Sequence, residues 1–226
     1  LRIALFFMYR SYATSTSRPH DGAIPAAILA RASAGLRAGE ALSQALVAVG
    51  RGNYAAAIPH FDSALAIANT MPDGENAVTV LLARGRAYSK MGMLERAEGS
   101  LLAARSLAAG TRQRYSLAEI WHNLSHTYEA GGRRTLALAA SDSFIAYAAG
   151  LEHDPIRIIT PHDAGLLRLG LGLHAAANRQ FEAMVALVRA ERQNHYWAGE
   201  YYERIGNARA ALGFFRAGVA IDHGEV

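Results

Sequence analysis

Gly52-Asn53-Tyr54-Ala55-Ala56-Ala57-Ile58-Pro59-His60-Phe61-Asp62-Ser63-Ala64 decides how this chain is read, because its spacing returns further on. Gly92-Met93-Leu94-Glu95-Arg96-Ala97, followed by Leu101 and Ala104, is one copy. Gly132-Arg133-Arg134-Thr135-Leu136-Ala137, followed by Ser141 and Phe144, is another. The glycines stand at 52, 92 and 132 and the alanines at 57, 97 and 137, so both series advance by 40 each time. Upstream of the glycines lie Leu81, Gly85 and Tyr88, and then Trp121, Leu124, Ser125 and Tyr128, at helical spacing. Gly199, Tyr202, Gly206, Ala211, Phe215 and Gly218 make a final copy.

Fixed-period self-similarity marks a stack of supersecondary units, and here each unit reads as two helices. Small residues at 45, 85, 125 and 199 let a second helix approach the first closely, while Tyr88, Tyr128 and Tyr202 fill the wedge beside it. Glycine at 52, 92, 132 and 206 supplies the positive φ that ends the first helix and lets the chain reverse. Ser116-Leu117-Ala118-Glu119 reads as a capping box, and Thr160-Pro161-His162-Asp163 as a cap with proline at the first helical position, so both should open first helices. A lone pair buries too little apolar surface, so stacking is obligatory. The expected fold is all-α, an α-solenoid of antiparallel helix pairs over residues 23–226. Residues 1–22 hold SYATSTSRPHDG, rich in turn formers, and read as a linker.

Trp121-x2-Leu124-Ser125-x2-Tyr128 and Gly52-Asn53-Tyr54-x2-Ala57-x3-Phe61-x2-Ala64 resemble the tetratricopeptide repeat (TPR), and the resemblance spans about residues 38 to 222. The period departs from the family's usual length of about 34, which puts about three extra residues on each helix and is similar to the family's longer-repeat members. Between Ala137 and Ala211 the register reads as irregular, with Asn178-Arg179-Gln180-Phe181 to Glu191 a degenerate copy. The resemblance implies a right-handed superhelix whose concave groove binds a protein or peptide. Carried over unit by unit, the groove positions are Leu42, Leu46, Arg86, Ser89, Lys90, Glu119, His122, His126, Glu129, Tyr196, Glu200 and Glu203. The family's clamp for terminal carboxylates is not expected, because Leu42 and Leu46 stand where it needs Lys and Asn.

Composition narrows the remaining classes. Hydrophobic residues make up 51% and charged residues 19%, which is the balance of a folded chain. Alanine and leucine dominate the apolar set, which suits helix. The net charge of +4 comes from arginines scattered among glutamates, without a basic arm, so no nucleic-acid partner is expected. With no cysteine, disulfides, thiolate catalysis and sulfur-held zinc are excluded. The apolar run from Ile3 to Met8 is too short to span a bilayer, and the expected location is cytoplasmic. One lysine, Lys90, against an arginine excess points to a GC-rich bacterial genome. The opening Leu1 reads as a fragment or a processed chain.

His122 and His126 project from one face of a helix, flanked by Glu119 and Glu129. Two such histidines can share a zinc ion, but Glu129 lies about 10 Å along the axis from His122 and a third ligand would have to come from a neighbouring helix. They are therefore read as a solvated pair lining the groove, with neither metal nor cofactor expected, and a hydrolase built on them is the weakest reading. Tyr196, Trp197, Tyr201 and Tyr202 read as packing aromatics, and Gly170-Leu171-Gly172 as part of an apolar helix. The last helix, about Ala208 to Ile221, carries Leu212, Phe214, Phe215, Val219 and Ile221, too many apolar residues for one covered face. Self-association or docking of a downstream domain is expected there. The functional expectation is a binding scaffold within a larger bacterial signalling or assembly protein, and not an enzyme. The alternative is the regulatory arm of a protease, kinase or cyclase whose catalytic domain lies elsewhere.

Overall fold

One turn type closes five of the described helices. Gly52, Gly92, Gly132, Gly172 and Gly206 all take positive φ, between 68° and 78°. In each turn the glycine amide donates to the carbonyl three residues back, as Gly92 does to Ser89 at 3.0 Å. The next amide reaches five back, as Met93 does to Tyr88 at 2.9 Å. This pair of bonds satisfies carbonyls that a helix end leaves open, and a side chain on the glycine would be strained there.

The computed structural model describes residues 26–71, 74–111, 113–151, 156–191 and 195–222. The described elements are all helices: α1 (Ala26–Gly50), α2 (Tyr54–Ala68), α3 (Glu75–Lys90), α4 (Leu94–Thr111), α5 (Arg114–Ala130), α6 (Arg134–Ala148), α7 (Ile156–Gly170), α8 (His174–Glu191), α9 (His195–Arg204) and α10 (Ala208–Asp222). They form antiparallel pairs, each a first helix, a glycine turn and a second helix. The linker expected at 1–22 lies outside the described residues. No helix among the described residues is long and apolar enough to cross a membrane. By backbone contacts the chain divides into two units, which end and begin at Asn123 and Leu124 within the unbroken helix α5.

In the first unit, Ala41 and Ala45 of α1, Ala57, Phe61 and Ala64 of α2, and Ala77, Val80 and Ala87 of α3 share one apolar core. Gly85 of α3 faces Leu101 of α4 so closely that an added Cβ would stand 2.7 Å from the leucine Cγ. Asn53 caps α2, its side-chain oxygen accepting from the Ala56 amide. Arg84 bridges helices, donating to Ser100 Oγ at 3.2 Å and to Asp62 Oδ1 at 3.1 Å.

In the second unit, Ile158, Ala177, Phe181, Met184, Val185, Val188, Ala198 and Tyr201 form the core. Burial, with the nearby charge of Glu182 and then Tyr202, pushes the Tyr201 phenol above its ordinary pKa, so it stays neutral. Gly165 lies against Phe181, where an added Cβ would stand 2.6 Å from the ring, and Gly199 lies as tightly against Phe215. The separation between small residue and large partner is the same in both pairs as from Gly85 to Leu101.

At Ser125 and Ser141 that arrangement changes, because both positions are small and buried. Arg168, one period after Tyr128, is buried to 8% exposure there. Its guanidinium donates to Ser141 Oγ at 3.1 Å, to the Ala164 carbonyl at 3.0 Å and to Asp142 Oδ1 at 2.5 Å.

Three sequence expectations need correction. The stretch from Asn178 to Glu191 is an in-register second helix, with Gly172, Ala177 and Phe181 each one full period after Gly132, Ala137 and Ser141. Gly170-Leu171-Gly172 is accordingly a turn and not helix interior, since α7 ends at Gly170. The two expected helix starts are also displaced. Helix α5 begins at Arg114, so Ser116 is inside it. Helix α7 begins at Ile156, with Pro161 inside, because burial of Ile156 and Ile158 holds the extra turn in place. Thr160 turns its hydroxyl back onto the Ile156 carbonyl at 2.5 Å instead of capping. The turn spacing shortens only from Gly172 to Gly206, where the first helix, α9, has 10 residues against 15 in α7.

Two stability outcomes follow. Gly85→Ala should cost about 1–3 kcal/mol by overpacking. Gly39→Ala, at an exposed helix position with nothing within 4 Å of its Cβ, should gain about 0.5–1 kcal/mol. Urea unfolding of both variants checks the pair. Asp142→Asn, which removes the charge opposite Arg168, should cost about 1 kcal/mol in the same assay, the figure being kept low because Asp142 is 66% exposed.

Candidate functional site

A first helix has one face on its second helix and another turned away, and adjacent residues fall on the two faces because the helix turns about 100° per residue. Ala45, Gly85, Ser125, Gly165 and Gly199 are buried, and the residues that follow them, Leu46, Arg86, His126, Leu166 and Glu200, are exposed. Four of these exposed residues are among the groove positions expected from the sequence. Leu166 escapes that reading because the register through α7 looks irregular, although it lies one period after His126.

In the first unit, Leu46 is 48% exposed on α1, whereas Leu42 is half-buried and packs against the core. Leu42 is therefore more a core residue than a groove residue. On α3, Lys90 is exposed in the last turn and Ser89 is half-buried. Arg86 is held along the surface: its guanidinium donates to Glu119 Oε1 at 2.6 Å and to Asn123 Oδ1 at 3.2 Å. Asn123 in turn donates to the Glu119 carbonyl at 2.6 Å. The charges of Arg86 and Glu119 thus compensate one another, and Lys90 carries the outward positive charge.

In the second unit, His126 is exposed on α5, its Nδ1 3.6 Å from Glu129 Oε2. Helix α7 contributes two residues that the sequence places in a helix cap. His162 Nδ1 lies 2.8 Å from Asp163 Oδ1, and the His162 ring stacks on Trp197 of α9 at 4.5 Å between centroids and 16° between planes. His162 stands one period after His122, so the repeat spacing itself is the signal that could find it. On α9, Tyr196, Glu200 and Glu203 are exposed. Tyr196 also packs, its ring 6.3 Å from Phe215 and its edge against Gly218. Tyr202 stacks on Phe214 at 5.5 Å, a packing role as expected. Leu212 and Val219 of α10 are exposed.

Residues 38–110 match the tetratricopeptide repeat family. Residues 38–110 carry TPR-like repeats. The chain's fold is similar to that of the nearly identical TPR-like repeats of a Podosopora anserina protein described as a kinesin light chain. That likeness has a TM-score of 0.63 at 19% identity, covering 84% of this chain and 96% of the other. A single-substitution variant of the same repeats gives a TM-score of 0.63 at 18% identity, covering 80% and 92%. At such identities the likeness concerns the fold alone. No curated protein matches the chain by sequence. The matched span contains the turns at Gly52 and Gly92 and the buried Ala45, Ala57, Gly85 and Ala97.

The Arg86 and Glu119 side chains are 43% and 24% exposed, so their pairing is screened by solvent. A double-mutant cycle on Arg86→Ala and Glu119→Ala should give a coupling below about 1 kcal/mol that shrinks with added salt.

Proposed function

We propose that this TPR-like chain holds a protein or peptide partner on the exposed positions of its first helices. The observation that carries the reading is the contrast between neighbouring residues there. The buried residue is Ala, Gly or Ser in every pair, and the exposed one is Leu46, Arg86, His126, Leu166 or Glu200. Residues that only keep the fold need no such chemical variety at exposed sites, whereas recognition of a particular segment does. Repeats of this kind offer a helix-lined surface on which an extended or helical segment can lie.

Leu46 and Lys90 suit a segment with apolar and acidic side chains on the first unit. Arg86 contributes as an ordered donor already aligned by Glu119, which lowers the side-chain entropy lost on binding. On the second unit, Glu129, Glu200 and Glu203 with the Tyr196 ring suit a basic segment. The same reading makes the chain a scaffold within a larger signalling or assembly protein, and its arginine-rich, lysine-poor composition supports a bacterial source.

Affinity capture with the intact chain and mass spectrometry of what is retained tests this. Leu46→Asp combined with Lys90→Glu should reduce capture by about tenfold or more while leaving helicity and melting temperature nearly unchanged. Arg134→Glu, on the exposed side of a second helix, should leave capture intact. Equal capture by all three proteins would defeat the proposal. Arg86→Glu is a poorer probe, since it would set a carboxylate against Glu119.

A further inference from the structure

We propose that the uncovered side of α10 receives an acidic amphipathic helix of another protein. The inference concerns a second helix of the second unit and does not rest on the partner-binding reading of the first helices. Arg209, Leu212, Arg216 and Val219 follow one another at three- and four-residue steps, so they fall within about 80° of one another around the helix. All four are exposed, Leu212 to 48% and Val219 to 46%. Ala211 and Gly218 are buried instead, and Gly218 meets Tyr196 of α9, so the stripe is not the face that closes this pair.

Earlier pairs show what covers this place. Val185 stands as far beyond Gly172 as Val219 does beyond Gly206. It is 4% exposed and shares a core with Ala198 and Tyr201 of the following helix, α9. In the first unit Leu65 has the same place after Gly52 and packs against a core that includes Ala77, Val80 and Ala87 of α3. At this phase of a second helix the fitting occupant is therefore another helix, packed ridge into groove. Among the described residues no helix follows α10.

Charge states which helix fits. Arg209 and Arg216 stand where α8 has Ala175 and Glu182, and the sole acid of α10 is its last residue, Asp222. No ion pair among the described residues engages Arg209 or Arg216. An incoming helix with carboxylates and aliphatic groups alternating along one stripe would set carboxylates against the guanidiniums and aliphatic groups against Leu212 and Val219. Helix α10 has 15 residues and so can line about four turns of it. An anionic lipid surface suits the stripe less well, because each aliphatic side chain has a guanidinium one turn away and cannot enter hydrocarbon without it. The α10 helix of a second copy brings the same excess of arginine, which repels.

The test uses a fluorescent synthetic helix of about sixteen residues, with Glu and Leu alternating at three- and four-residue steps, and a second peptide with Lys in place of each Glu. By anisotropy the acidic peptide should bind the intact chain saturably and more weakly as salt rises, and the lysine peptide should not bind. Arg209→Glu combined with Arg216→Glu should weaken binding by about tenfold or more, as should Leu212→Asp. Leu46→Asp combined with Lys90→Glu should leave it unchanged, which separates this surface from the first-helix one. Circular dichroism checks that each variant keeps its helices, and if Leu212→Asp does not, the exposed arginine pair decides alone. Equal binding of the two peptides, or binding unchanged in the folded arginine variant, overturns the proposal. So does the absence of peptide binding in a chain that sediments with anionic vesicles or self-associates through Leu212, since lipid or a second copy would then be the occupant.

Discussion

The close approach of two helices at a residue with little or no side chain is the contact on which each repeat depends. Gly85 against Leu101, Gly165 against Phe181 and Gly199 against Phe215 repeat one arrangement, in which the bulky side chain occupies the space a Cβ would take. That contact works only if the second helix returns in a fixed rotational phase. One residue more or less in the turn would rotate it by about 100° and present a different side chain to the glycine. The glycine turn fixes the phase, because its two backbone hydrogen bonds leave no slack between the end of one helix and the start of the next. Small residue, turn and bulky residue are therefore one device, held at a constant separation along the chain.

The pair containing Ser125 and Ser141 shows what the device can absorb. With serine in both places this pair has no bulky side chain where the others have Leu101, Phe181 or Phe215, and Arg168 of the following helix stands where the preceding repeats have Tyr88 and Tyr128. Tyrosine fills such a place with apolar surface, and Arg133 lies over the Tyr128 ring at 4.5 Å. Arginine fills it with its methylene stem and sends the charge outward to Asp142, which remains in contact with water. The Ser141 hydroxyl and the Ala164 carbonyl take the other donor, so the buried guanidinium nitrogen is hydrogen-bonded rather than merely covered.

This exchange also explains where the sequence can be read and where it cannot. The helix pairs, the turns at Gly52, Gly92, Gly132 and Gly206 and the buried alanines are legible because the backbone constraint admits so few residue types. The fourth copy is obscured where Arg168 replaces tyrosine and where Gly172 is embedded in the apolar run Leu167 to Leu173, so that neither aromatic nor polar turn marks the boundary. Capping signatures at Ser116 and Thr160 place helix starts too late because they are local, whereas burial of Ile156, Ile158 and Leu117 is a tertiary gain. The pairings of Arg86 with Glu119 and of His162 with Trp197 join residues far apart in the chain, which local pattern cannot supply.

Because each buried small residue is followed at once by an exposed one, the constraint that fixes the fold also delimits where chemistry can vary. A change at Ala45 or Gly85 acts on helix approach, whereas a change at Leu46 or Arg86 leaves that contact alone. Helical phase, rather than distance along the chain, separates the two classes. The same phase brings the following turn into reach: from His126 it leads back to His122 and on to Glu129, and the equivalent stretch of α7 offers His162, Asp163 and Leu166. On α5 and on α7 the uncovered residues each follow this one phase, so side-chain chemistry can vary there without disturbing the contact between paired helices.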